Sequence, residues 1–218
     1  MRPKVTFGVR WMTAAAVRET TLLPHRSAEV ILVSMPAEST SQLLTAEELE
    51  RVELPGKSTE LVRGRLIVRE PPSTRHGGIA GKLAYLLGDH VFRDKLGIVC
   101  GQDTGFIIES DPDTVRAPDV AFVSRSQADS IPPTGYARLA PDLVVEIVSP
   151  GDRPGELLAK VAQWLEAGSK LVWVIDAMRA RAVVYRSSGD VMVAGSDGHL
   201  EGEDVLPGFR CAIAEILE

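Results

Sequence analysis

Glu146 is the residue of this sequence that most strongly indicates chemistry. It interrupts residues 142–148, a run of β-branched and other apolar residues that otherwise predicts a strand buried on both faces. Strand alternation places Glu146 on the same face as Val144 and Val148, with Asp142 at the rim. Because burying an unpaired carboxylate is expensive, Glu146 must be paired, protonated or bound to a cation.

A second acid, Asp119, opens another apolar strand directly after Pro118, which restricts the chain at that point. Two acids on neighbouring strands can converge on one divalent ion. Hard cations such as Mg²⁺ prefer a few carboxylate oxygens together with waters and a substrate phosphate. The structural alternative stays open, in which Asp119 caps a turn and Glu146 forms a salt bridge with an arginine.

Lys160 lies in the helix that the sequence predicts after Glu146. At 100° per residue, the apolar stripe of that helix consists of Leu157, Leu158, Val161, Trp164 and Leu165. Lys160 falls beside this stripe, so its aliphatic stem can lie along the sheet while its ammonium group reaches Glu146. A surface lysine with its charge in solvent is the alternative.

Several further segments follow one another along the chain: TELVRGRLIV at 59–68, His76 before a helix, DTGF at 103–106, RAPDVAF at 116–122, DLVVEIVSP at 142–150, Lys160, and residues 168–176. Their order and spacing resemble the Uma2 family of bacterial endonucleases, which belongs to the PD-(D/E)XK restriction-endonuclease-like superfamily. The resemblance spans roughly residues 43–217. It implies an α/β fold with a restriction-endonuclease-like core, in which a mixed β-sheet is flanked by α-helices.

The same resemblance assigns the two acids. Pro118-Asp119 matches the PD element, and Glu146 matches the acidic residue of the second element. In the superfamily's simplest pattern a lysine follows that acid by two positions, but this sequence has Val148 there. Similar proteins take the lysine from the following helix, which matches Lys160.

Three further positions are implied only by the resemblance. Relatives have a glutamate in the first hairpin and a histidine before the first core helix, which match Glu60 and His76. Trp164 stands where relatives often have tyrosine, a change that should leave the packing intact.

The expected function is therefore a metal-dependent DNA endonuclease. Mg²⁺ or Mn²⁺ would be held by Asp119, Glu146 and the carbonyl of Ile147, and would activate a water for attack on a phosphodiester. Lys160 would orient or help deprotonate that water, or stabilise charge on the phosphoryl oxygens.

Two residues keep several possible roles, and two other functions remain open. Glu60 adds a metal ligand or positions Lys160, and His76 contacts the scissile phosphate, assists proton transfer or only hydrogen-bonds Glu60.

The first other function is a catalytically weak or inactive nuclease-fold protein that serves as a nucleic-acid-binding or interaction module. The second is a hydrolase that uses Glu146 and Asp119 as an acid–base pair without metal.

The elements that must position these residues follow from apolar periodicity and turn signals. The sequence predicts a hairpin over residues 59–69 that turns at Arg63-Gly64, and a helix over 41–52 that begins at a capping box of Thr45 and Glu48. Polar residues 124–139 predict a surface excursion, and further short strands end near Phe209. The remaining predicted elements are helices over 77–92 and 156–167, the latter ended by Gly168, and strands over 105–109, 119–123, 142–148, 171–176 and 181–186.

Length and charge limit the remaining possibilities. The 218 residues suit one domain with a tail, and their net charge of −6 argues against coating nucleic acid by bulk positive charge. Residues 1–34 carry a formal charge of +3, which leaves −9 on the rest. We expect residues 1–40 to form a basic, flexible extension and residues 41–218 the domain. A translation start at Met12 or Met35, or a targeting role, would also explain the basic segment.

Cysteine content and hydropathy indicate the compartment. Only Cys100 and Cys211 are present, too few for a disulfide framework, so we expect reduced thiols in a cytoplasmic protein. No apolar run approaches the roughly 18–20 residues that span a membrane. A homodimer is expected from the resemblance alone, since nucleases of this fold often pair to cut two strands.

Overall fold

The structure is a computed structural model that describes residues 43–218. The predicted extension over residues 1–40 therefore lies outside the described residues. The helices of the described part are α1 (Ala46–Leu49), α2 (Thr74–Arg93), α3 (Arg125–Ala128), α4 (Pro154–Glu166) and α5 (Ile213–Leu217). The strands are β1 (Ser58–Val62), β2 (Arg65–Arg69), β3 (Gly97–Cys100), β4 (Phe106–Glu109), β5 (Thr114–Arg116), β6 (Val120–Ser124), β7 (Leu143–Ile147), β8 (Leu171–Asp176), β9 (Arg181–Arg186), β10 (Val191–Ala194), β11 (His199–Glu201) and β12 (Arg210–Ala212).

A six-stranded mixed sheet forms the centre of the fold, in the order β10-β9-β8-β7-β6-β3. Strands β7 and β8 are parallel, whereas the other neighbours in this sheet are antiparallel. A parallel pair needs a crossover connection, and α4 supplies it between β7 and β8. The predicted α/β fold, a mixed sheet flanked by helices, is confirmed.

Strand β7 divides its side chains between the two faces of this sheet, as its period of two requires. Leu143, Val145 and Ile147 pack in the core that α2 covers. Val144 packs with Val161 and Trp164 of α4 on the opposite face. Glu146 consequently points toward α4, as the alternation predicted.

The hairpin of β1 and β2 turns at Arg63 and Gly64, which both have positive φ values of 48° and 74°. This conformation matches the type I′ turn that glycine favours in two-residue hairpins. The hairpin belongs to a second, four-stranded sheet in the order β2-β1-β5-β4. Pairing of Leu61 with Val115 brings Glu60 beside the end of β5.

Several predicted helix boundaries were wrong by a few residues, because apolar periodicity alone does not locate the ends of a helix. The Thr45–Glu48 capping box is present, but α1 ends at Leu49 rather than at residue 52. Helix α2 begins at Thr74, three residues before the predicted start, because the Ser73 hydroxyl accepts from the His76 N–H. Helix α4 runs over Pro154–Glu166, two residues earlier at its start than predicted.

Residues 124–139 are more than a surface excursion. They contain α3, and Ala137 is buried and forms a bridge with Phe106. The short strands β3 and β5 were not predicted, because three or four residues show too little periodicity. Within residues 43–218 no helix is long and apolar enough to cross a membrane.

Candidate active site

One cleft of about 490 Å³ contains all the residues that the sequence predicted for the site. Its walls come from the first hairpin, the start of α2, the chain before β6, the end of β7 and the start of α4. The predicted residues that line it are Glu60, His76, Asp119, Glu146, Ile147 and Lys160. The fold thus brings together side chains that lie up to a hundred positions apart in the sequence.

Glu146 is buried and both of its carboxylate oxygens accept hydrogen bonds from α4. Lys160 Nζ lies 2.9 Å from Oε2, and Trp164 Nε1 lies 2.8 Å from Oε1. Burial raises the pKa of Glu146 to about 7, against the lowering effect of Lys160 and with a further rise from the Asp119 and Glu60 charges. Burial is therefore the main reason that the charged form of Glu146 is disfavoured near neutral pH.

Lys160 is buried and its ammonium group has three acceptors. Nζ lies 2.9 Å from Glu146 Oε2, 3.0 Å from Glu60 Oε1 and 2.9 Å from the carbonyl oxygen of Ala117. Burial by itself would lower the pKa of Lys160, but the two carboxylates outweigh it and raise the pKa above its usual range. Lys160 is therefore a charged group fixed at the floor of the cleft.

Asp119 lies just before β6 and is held from three sides. Its Oδ1 is 2.8 Å from His76 Nε2 and 3.2 Å from Gln102 Nε2, and its Oδ2 accepts the Ile147 N–H at 2.6 Å. Burial would raise the pKa of Asp119, but the bond to His76 and the nearby positive charges lower it. Asp119 is therefore ionised at neutral pH, and its carboxylate is tied to the strand end that carries Glu146.

His76 connects two residues of the cleft. Its Nδ1 lies 3.0 Å from the hydroxyl of Ser149, while Nε2 contacts Asp119. Burial opposes protonation of His76, but the Asp119 carboxylate raises its pKa above 6.5. The option that His76 only hydrogen-bonds Glu60 is wrong, because Asp119 takes that place.

Glu60 is 3% exposed and surrounded by donors. Its Oε2 lies 2.9 Å from Arg116 Nη1, and its Oε1 accepts the Ala117 N–H at 3.0 Å. Burial would raise the pKa of Glu60, but Lys160 and Arg116 lower it to about 2. The oxygens of Glu60 thus contact Arg116, the Ala117 N–H and Lys160. Glu60 is therefore suited to holding Lys160 in place, which is one of its two predicted roles.

The sequence reasoning missed Gln102 and Ser149, which line the cleft, and three further residues of the hydrogen-bond network around the predicted site residues. Arg116 is buried and joins Glu60 to Gln163 of α4, whose Oε1 lies 2.9 Å from Nε and 2.5 Å from Nη2. Trp164, predicted only to pack, also donates its indole N–H to Glu146. Gln163 and Trp164 lie three and four positions after Lys160, so helical spacing was the signal that could have placed them on the same face.

The cleft lining is acidic, with seven carboxylates and three Lys or Arg side chains, a formal charge of −4. Among residues 43–218 no three His, Cys, Asp or Glu side chains converge as a ready-made metal site. Two carboxylates, Asp119 and Glu146, nevertheless line the cleft together. Mg²⁺ is commonly held by one or two carboxylates plus waters and substrate phosphates, so this donor set fits such an ion.

Comparisons with known proteins agree on one kind of protein. The family model described as "Uma2: Putative restriction endonuclease" matches residues 46–214. The chain is also similar to the crystal structure of a "putative nuclease belonging to DUF820" from Anabaena variabilis, with a TM-score of 0.69 and 18% sequence identity. That similarity covers 80% of this chain and 97% of the other, and it concerns the fold. No protein with a curated description matches the chain.

Proposed function

Because the chain belongs to the Uma2 family of nucleases, we propose that it is a metal-dependent endonuclease that hydrolyses phosphodiester bonds of DNA. The observation that carries this proposal is the contact of 2.9 Å between Lys160 and the buried Glu146, in the cleft that Asp119 also lines. An acid–acid–lysine set of this kind has the chemistry that phosphodiester hydrolysis needs.

Asp119, Glu146 and the carbonyl of Ile147 would hold Mg²⁺ or Mn²⁺. Burial, and to a lesser extent the charges of Asp119 and Glu60, raises the pKa of Glu146 to about 7, so a bound cation would offset the cost of keeping this carboxylate charged. When bound, such an ion polarises a phosphodiester and lowers the pKa of a coordinated water.

The chain's own groups would arrange the reactants. Lys160 supplies a fixed positive charge for the attacking water and for charge that develops on the phosphoryl oxygens. Glu60 holds Lys160 in place, and His76 holds Asp119. Both contacts join groups of the protein itself, so the fold positions Lys160 and Asp119.

The acidity of the cleft supports metal assistance in DNA binding. With a formal charge of −4, its lining repels phosphates until a divalent cation offsets part of that charge. We infer local binding of DNA at the cleft rather than along a broad basic surface. We also infer a cytoplasmic enzyme, which the free thiols Cys100 and Cys211 favour. We further infer a homodimer able to cut two strands, which a measurement of the molecular mass in solution tests.

The deciding experiment is cleavage of plasmid, single-stranded DNA and RNA at increasing Mg²⁺ or Mn²⁺ concentrations, with Asp119→Asn and Glu146→Gln as site variants. Asp142→Asn is the matched control, because Asp142 directly precedes β7, the strand of Glu146, but lies outside the cleft lining. We expect DNA cleavage by wild type and Asp142→Asn, and at least about a hundredfold loss in both site variants.

Three outcomes separate the competing functions. Metal-dependent cleavage lost in both site variants supports the endonuclease. Binding of nucleic acid without cleavage at any metal concentration overturns it in favour of a binding or interaction module. Hydrolysis of another substrate that resists a chelator overturns it in favour of an acid–base pair of Glu146 and Asp119.

A further inference from the structure

Helix α4 holds both oxygens of Glu146 with two different donors. Lys160 Nζ reaches Oε2 at 2.9 Å, and Trp164 Nε1 reaches Oε1 at 2.8 Å. The two donors are four residues apart and therefore lie on one face of the same helix. Each side chain is buried, so neither donor has water as an easy replacement partner.

The second donor fixes the rotation of the Glu146 carboxylate, which the first donor alone leaves free. The terminal torsion of a glutamate side chain is broad, so a carboxylate held at one oxygen can still rotate about its last bond. A second hydrogen bond at the other oxygen removes that freedom and sets the plane of the carboxylate. The plane decides where the remaining lone pairs of Glu146 point in the cleft.

Trp173, a second buried tryptophan of residues 43–218, differs from Trp164 in its hydrogen bonding. Trp173 is fully buried and stacks on Phe209, yet its Nε1 has no hydrogen-bond partner within residues 43–218. Burial of an indole in this fold therefore does not by itself bring its N–H to a carboxylate. The bond from Trp164 to Glu146 is a specific contact, because the fold accepts a buried tryptophan without one.

We propose that Trp164 is a positioning residue of the active site, whose indole N–H sets the carboxylate plane of Glu146 for a divalent cation. This proposal rests on the proposed function, in which Glu146 is a metal ligand. Tryptophan only donates hydrogen bonds, so it keeps Oε1 an acceptor and leaves a lone pair free for the ion. Groups that orient metal ligands in this way typically contribute 10-fold to 100-fold to metal affinity.

The test compares Trp164→Phe with the matched control Trp173→Phe. Both changes shorten a fully buried indole to a phenyl ring, but only the first removes a hydrogen bond to Glu146. Mn²⁺ binding is measured by calorimetry on protein without DNA, after circular dichroism has confirmed folding. We expect the Kd for Mn²⁺ to rise about tenfold or more in Trp164→Phe and to stay within about twofold of wild type in Trp173→Phe.

A second measurement uses the unaltered protein and does not depend on whether a variant folds. The chain has three tryptophans, so its ¹⁵N-labelled form gives three indole N–H resonances. Nuclear Overhauser contacts of Trp164 with Phe106 and of Trp173 with Phe209 assign two of them without a variant. We expect added Mg²⁺ to shift the Trp164 resonance and to leave that of Trp173 in place.

The outcomes distinguish this proposal from the one on which it rests. If wild type binds Mn²⁺ and cleaves DNA while Trp164→Phe has the same Kd, or Mg²⁺ leaves the Trp164 resonance unmoved, the role of Trp164 is overturned and the endonuclease stands. If wild type binds no Mn²⁺ at all, both proposals are overturned.

Discussion

Glu60 and Lys160 form a buried ion pair, with 3.0 Å between Oε1 and Nζ, that joins strand β1 to helix α4. The sequence left two roles for Glu60, a metal ligand or a support for Lys160. The contacts favour the second, since the oxygens of Glu60 also accept from Arg116 and from the Ala117 N–H. Glu60 thus links the four-stranded sheet to the helix that carries the proposed catalytic lysine.

Glu60→Gln tests this link through stability and its pH dependence. Because the pKa of Glu60 falls from 4.5 to about 2 on folding, its ionised form stabilises the protein above pH 4.5, and this contribution is lost as the pH falls toward 2. We expect Glu60→Gln to lower the free energy of unfolding by about 3 kcal/mol at pH 7. Urea unfolding from pH 7 to 3 measures it, and the difference from wild type should shrink below pH 4.5.

The exposed Glu70, on the same hairpin, provides the control for that prediction. It pairs with Lys57 at the surface, so Glu70→Gln should change the free energy of unfolding by less than about 1 kcal/mol. Equal effects of the two glutamine variants would contradict a special role of Glu60.

Arg116→Lys tests whether the planar guanidinium is needed between the strand and the helix. Arg116 contacts Glu60 with one nitrogen and Gln163 with two others, and a lysine cannot make these contacts together. We expect a loss of about 1–3 kcal/mol in the free energy of unfolding. The exposed Arg93→Lys is the control, and similar losses in both variants would show that the bridge contributes nothing.

The acids and the lysine of the site could be predicted from local rules. A lone carboxylate in a buried strand must have a partner, and this requirement is enough to single out Glu146 in the sequence. The helical angle of Lys160 placed it beside the apolar stripe, and the structure shows its ammonium at Glu146. These inferences succeeded because they depend on one strand and the helix directly after it.

The partners of Glu60 could not be predicted in this way. Strand alternation alone cannot tell whether the polar residues of a hairpin face solvent. Glu60 is buried in a sheet whose Phe106 packs against Trp164 of α4. Its link to Gln163 through Arg116 joins three elements that are far apart in the sequence. Such contacts depend on the tertiary arrangement, so only the resemblance to a family indicated Glu60 and His76.

His76→Ala tests the support of Asp119. His76 supplies one of the two side-chain donors to Asp119 Oδ1, at 2.8 Å, and Gln102 supplies the other. We expect His76→Ala to lower Mg²⁺-dependent cleavage by about 10-fold to 100-fold. His90→Ala on the same helix is the control, since within residues 43–218 the His90 side chain hydrogen-bonds only the carbonyl of Pro207.

The protonation of His76 adds a pH signature to that comparison. Asp119 raises the pKa of His76 in the folded protein, so the pair stabilises the fold most below pH 6.5, and the contribution is lost as the pH rises through the raised pKa. Unfolding measurements should therefore show that His76→Ala loses more free energy of unfolding, relative to wild type, at pH 5.5 than at pH 8.5. A loss that grows with pH would contradict the ion pair.

Asp142→Asn should affect stability and leave the chemistry unchanged. Asp142 precedes β7 at the end of the strand away from Glu146, and it is 1% exposed rather than at an open rim. Its carboxylate accepts from the Ser124 N–H at 2.8 Å, from Gln127 at 2.7 Å and from Lys170 at 2.7 Å. Burial would raise the pKa of Asp142, but these donors lower it below 3.8, so its contribution to the stability of the fold is present above that pH and lost in acid.

We expect Asp142→Asn to lower the free energy of unfolding by about 1.5–3 kcal/mol at pH 7, measured by urea unfolding, with cleavage per folded molecule unchanged. Folded Asp142→Asn that no longer cleaves DNA would show that the active site extends along the whole of β7.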